Sequence, residues 1–118
     1  MSERDPLVTL GQLEDFARQA AALASEGSRE QLETEWRYLL ASERAVELIG
    51  GAATRLPSEV RERHSQISWP AIIGIPNRLL HGHETVEYDL VWDVLANHAP
   101  HLLAELPAII AAESLASL

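Results

Sequence analysis

The chain has 118 residues, no cysteine and a formal net charge of -9. That length suits a single domain, 1–118. The missing cysteines exclude disulfides and thiolate metal sites, and the acidity excludes broad non-specific attachment to nucleic acid, which needs clustered positive charge. No apolar run reaches the roughly 18 residues of a membrane span, and the charged start M-S-E-R-D-P lacks an apolar h-region, so a cytoplasmic protein without membrane attachment is expected.

Asp5-Pro6 reads as an N-cap followed by the first helical residue. Leu7, Leu10, Leu13, Phe16, Ala20 and Leu23 then step by three or four, which predicts a helix with one buried face, ended at Glu26-Gly27 with Gly27 in a C′ role. Ser28 with Gln31 forms a capping box for a second helix. Its face is Leu32, Trp36, Leu39, Leu40, Ala45, Val46, Ile49, Ala53 and Leu56, and no proline interrupts it, so one long helix over 29–56 is expected. Gly50-Gly51 inside it predicts close approach of a neighbour, or a kink.

Pro57-Ser58 caps a short helix, Glu59 to His64, and Ser65 to Ser68 read as a loop. Arg55, Arg61 and Arg63 read as solvated surface charges. Trp69-Pro70 opens a helix that must kink or restart at Gly74-Pro76, because proline lacks the N–H and clashes with the carbonyl four residues back. Gly82 to Thr85 read as a loop and Val86 to Asn97 as a helix. A break is expected at Asn97-His98-Ala99-Pro100. A last helix follows, bent at Pro107 and frayed over Ala111 to Leu118. No segment alternates with period two, so the expectation is an all-α helical bundle of about five helices with one long antiparallel helix pair.

Chemistry concentrates between Ile67 and Trp92. Asn77, Arg78 and His81 are three or four residues apart, which on a helix puts Arg78 and Asn77 each on the side of His81. An imidazole near neutral pKa can work as acid or base on RNA, a guanidinium can hold the phosphate, and no metal is required. The same residues also suit an ordinary polar helix end, with His81 near a helix C-terminus and Arg78 extended along the surface. Metal binding has little support. His81 and His83 are two apart, His98 and His101 straddle a proline, and no H-E-x-x-H occurs. A phosphate-cradling glycine loop and a serine nucleophile motif are also missing, so no cofactor is expected.

The stretch I-S-W-P-A-I-I-G-I-P-N-R-L-L-H-G-H-E-T-V-E-Y-D-L-V-W resembles the HepT-like branch of the HEPN superfamily, whose pattern is approximately I-P-W-r-x-I-I-G-x-R-N-x-L-x-H-G-Y-x-x-V-D-x-x-x-V-W. Upstream, E-R-A-V-E-L-I-G-G-A-A-T-R-L is similar to that family's R-N-L-E-I-I-G-E-A-A-x-x-L, with Arg44 at its arginine. The resemblance runs from about Ser42 to Ile110. It implies a HEPN-like bundle and a toxin of a toxin-antitoxin pair. Such a toxin is a metal-independent endoribonuclease acting as a homodimer, with a minimal nucleotidyltransferase as antitoxin. By position, Asn77 and His81 match the motif's asparagine and histidine. Pro76 stands where the arginine belongs, and His83 where a tyrosine belongs that the partner modifies in the best-studied branch. Arg78 or His83 are then the candidate replacements, and a catalytically inactive module that binds a nucleotidyltransferase partner or nucleotide is the competing expectation. Trp69, Trp92 and the Gly50-Gly51 step add surplus apolar surface to the homodimer expectation.

Overall fold

The computed structural model describes residues 5–74 and 87–118. Every regular element among them is helical: α1 (Pro6–Glu26), α2 (Arg29–Thr34), α3 (Trp36–Arg55), α4 (Ser58–Arg63), α5 (69–74), α6 (Tyr88–Asp93) and α7 (Ala99–Ala116), with a π-helical turn at Val94–His98. The all-α expectation holds. No described helix is long and apolar enough to cross a membrane.

α1 is the central element. Asp5 Oδ1 accepts from the Leu7 amide at 2.9 Å and Pro6 occupies the first turn, as the sequence predicts. The helix packs against both α3 and α7 through Leu10, Leu13, Ala17 and Ala20, all with no solvent exposure. Ala17 and Ala20 leave room for the neighbouring backbones, while the leucines supply apolar area. Burying each leucine contributes about 1.5–3 kcal/mol. From α3 come Val46, Ile49 and Ala53, and from α7 Leu102, Leu106 and Ile109, so one core unites the described residues.

Three expectations need correction. The long helix over 29–56 is two helices, because Glu35 is extended (φ -120°, ψ 98°). No glycine or proline marks this break; packing sets it, since α2 lies against α6 while α3 runs along α1. α3 passes through Gly50-Gly51 without interruption; Gly50 is buried, and among the described residues a Cβ on Gly51 would meet the Arg55 guanidinium at an ordinary 3.5 Å. The expected break at 97–100 is a continuous helical rod. There the Ala99 amide donates to the Val94 carbonyl, five residues back, and the wider π turn accommodates Pro100 without the clash a regular turn would impose. The expected fraying over 111–118 is also absent, since α7 runs to Ala116 and Glu113 near its end is buried. The kink or restart at Pro76, the loop at 82–85 and the helix start at Val86 lie outside the described residues.

Gly27 is required for a different reason from the one its position suggests. Its φ of -142° is extended, which any residue adopts. A Cβ there would sit 2.4 Å from the Tyr38 ring, and that ring is held by the Tyr38 hydroxyl donating to the Leu23 carbonyl at 2.5 Å. Gly27→Ala is therefore expected to cost about 1–3 kcal/mol of overpacking, read as a lower urea midpoint. Adding Tyr38→Leu should return part of that loss, and simple additivity of the two changes would count against the steric account.

Candidate functional site

Of the sequence-predicted residues, Asn77, Arg78, His81 and His83 lie outside the described residues. What the structure describes is the frame on either side of them. On the entering side, α5 begins at Trp69, which is 5% exposed and belongs to the core. Its indole Nε1 donates to the His64 carbonyl at 3.0 Å. Ile72 on the next turn is also buried, and its amide donates to the Ser68 carbonyl. On the leaving side, Asp89 in the first turn of α6 accepts from Arg29 Nε at 2.6 Å, and Arg29 also bridges to Glu33 within α2. This second anchor is solvent-exposed, so water and salt screen both pairs and each adds little to stability.

Burial of Trp69 corrects the expectation that it is spare surface for association. The large exposed apolar residues of α3 are instead Trp36 and Leu40, with the Arg37 guanidinium stacked 4.5 Å from the Trp36 ring centroid. Trp92 is half-buried and packs against the core.

Arg44, the remaining predicted residue, is exposed on α3 and reaches Glu47 at 3.4 Å. It borders an open groove of about 430 Å³ between α1 and α3, lined also by Gln19, Leu23, Glu26, Ala41 and Leu48. One residue away, burial and the Glu47 charge push the Glu43 carboxyl above the usual carboxylate range. Among the described residues, no group of three or more His, Asp or Glu is placed to hold a metal ion.

The buried polar cluster that sequence reasoning missed joins α4 to α7. Glu113, 7% exposed, accepts from Arg63 Nη2 at 2.8 Å on one oxygen. Its other oxygen accepts from Arg63 Nε at 3.1 Å and lies 2.7 Å from His64 Nε2. The fork geometry of the guanidinium and the second donor hold the carboxyl down at about 2, well below its ordinary 4.5. An ionised carboxylate only accepts, so His64 Nε2 is the donor. Arg63 is thus a clamp and not a free surface charge. One signal was legible: Leu102, Leu106, Ile109 and Glu113 share one stripe, so the acid belongs to the buried face of α7. A second polar knot lies at the π turn, where Asp93 accepts from Asn97 Nδ2 at 2.7 Å and lies 3.1 Å from His98 Nε2.

The described elements define a helical bundle in which a buried indole and a surface ion pair bracket a short segment carrying asparagine, arginine and histidine. A family profile described as Ribonuclease HepT-like matches residues 11–109, and the chain belongs to that family. It is 34% identical over 70 residues to a protein of Caldanaerobacter subterraneus subsp. tengcongensis named "Putative RNase", covering 59% of this chain and 62% of that one. A "Putative RNase" of Methanocaldococcus jannaschii is 28% identical over 67 residues, 57% of this chain and 55% of that one. A "Probable ribonuclease HepT" of Thermococcus cleftensis is 28% identical over 59 residues, 50% of this chain and 54% of that one. The matched stretches therefore span less than two thirds of these relatives. No solved structure matches.

Glu113 also predicts a pH dependence. Its folded value lies below its unfolded value, so its contribution is complete above about pH 4.5 and is lost as pH falls from there toward 2. Urea unfolding across that window should show a stability loss in the wild type that is much smaller in Glu113→Gln. Equal slopes in the two proteins would contradict the ionised clamp.

Proposed function

We propose that this chain is a metal-independent endoribonuclease and the toxin of a pair whose antitoxin is a minimal nucleotidyltransferase. The observation that carries the reading is family membership over residues 11–109, combined with Asn77 and His81 standing at the motif's asparagine and histidine positions. In this mechanism a ribose 2′-hydroxyl attacks the adjacent phosphorus, and the bond to the 5′-oxygen breaks. His81 takes or returns the proton, its partner copy supplies the complementary role, and Asn77 orients the imidazole or donates to a phosphate oxygen. Arg78 supplies the positive charge that Pro76 cannot. His83, an imidazole where the family has a tyrosine, is a second acid-base group, and Arg44 an accessory cation.

The acidity of the chain agrees with RNA contact confined to a short cationic segment. The protein acts as a cytoplasmic homodimer and as one domain, with the exposed Trp36 and Leu40 among the apolar surface open to association. One observation favours a second reading. Pro76 occupies the arginine position, which suits a catalytically inactive module that binds a nucleotidyltransferase partner or nucleotide.

The purified chain should cut RNA in the presence of EDTA, and His81→Ala should reduce the rate at least about 100-fold, the scale of general acid-base contributions. Intact RNA after incubation with wild-type protein would favour the binding module. Cutting retained in Arg78→Ala but lost in His81→Ala would remove the arginine from the mechanism. Sedimentation at micromolar concentration should give twice the 13.0 kDa chain mass, and a 13.0 kDa species would refute the dimer.

A further inference from the structure

Two hydrogen bonds connect the last turns of the chain to the first residue of α5. Glu113 on α7 accepts from His64 Nε2 at 2.7 Å, and the His64 carbonyl accepts from Trp69 Nε1 at 3.0 Å. All three residues are at least nine-tenths buried, at 7%, 8% and 5% exposure. Apolar packing from Ile67, Trp69 and Ile72 already holds this corner against the core. A buried ionic cluster is rarely the cheapest way to add stability, because desolvation offsets most of the attraction. What apolar packing does not supply is a directional polar contact. Close packing already holds the indole in one rotamer, and its N–H directed at one carbonyl adds a directional tie between the start of α5 and the turn before it.

α5 is the element from which the chain enters the segment carrying Asn77, Arg78 and His81. We propose that Glu113, His64 and Trp69 form a positioning relay for RNA cleavage, setting the direction of α5 from the opposite end of the chain. The inference rests on the ribonuclease reading. None of the three residues touches the reacting atoms. The relay acts by orientation, where displacements of about 1 Å can cost about 100-fold in rate.

The test uses His64→Ala, which cuts the first link, His64→Gln, which restores an N–H donor of similar reach, and Trp69→Phe, which removes only the second donor. Each is assayed at a temperature where far-UV circular dichroism shows it folded. His64→Ala and Trp69→Phe should lower kcat at least about tenfold with KM within about twofold, and His64→Gln should recover most of the loss. The pH limbs of kcat should not move, since the relay carries no proton. Wild-type kcat in both folded variants, or a change confined to KM, would overturn the proposal. Amide exchange gives a readout that needs no RNA. The amides of 72–74 should exchange at least about tenfold faster in both variants with those of α3 unchanged, and unaltered exchange would overturn it. If the wild type cuts no RNA, the ribonuclease reading fails by itself, and the exchange result alone decides whether the relay orients α5.

Discussion

A carboxylate removed from water must have its lone pairs met, or it will take up a proton or pull its helix back to the surface. Glu113 meets that demand with a forked guanidinium and an imidazole. The arrangement of the described half of the bundle around α4 follows from it. Once Arg63 and His64 are committed to Glu113, α4 cannot swing away from α7, and the turn after it has a fixed start. The last turns of α7 stay helical because one of their residues is an anchor rather than a loose end.

The remaining packing is built on α1. Its alanines allow α3 and α7 to come close, and its leucines provide the apolar area they share. The π turn at Val94–His98 has a related role. It lets α6 and α7 continue as one rod across Pro100, so that Val91, Val94 and Leu95 on one side of the turn and Ala99 and Leu102 on the other all reach the same core.

The two sides of the 75–86 segment carry different polar contacts. Before it stands a buried hydrogen-bonded indole; after it stands an exposed ion pair, Arg29 with Asp89. Desolvation makes the first contact strong and directional, and water weakens the second. The directional buried contact is on the α5 side, while α6 is held by Val91 in the core as well as by the ion pair.

The sequence by itself determined the helical class, the caps at Asp5-Pro6 and Ser28, the short helix after Pro57, the start of α5 at Trp69-Pro70 and the family. These depend on local chemistry: apolar spacing, capping side chains, proline's fixed angle and a motif readable as letters. Only the tertiary structure decided the break at Glu35, the π turn in place of a loop, the Tyr38 ring that demands Gly27, and the burial of Trp69. Each arises from a neighbour distant in sequence or from the path of a packed helix, and no local propensity encodes that. The Glu113 clamp shows the boundary most clearly. The stripe on α7 announced that position 113 faces inward, but its partners, fifty residues earlier, are brought to it only by folding.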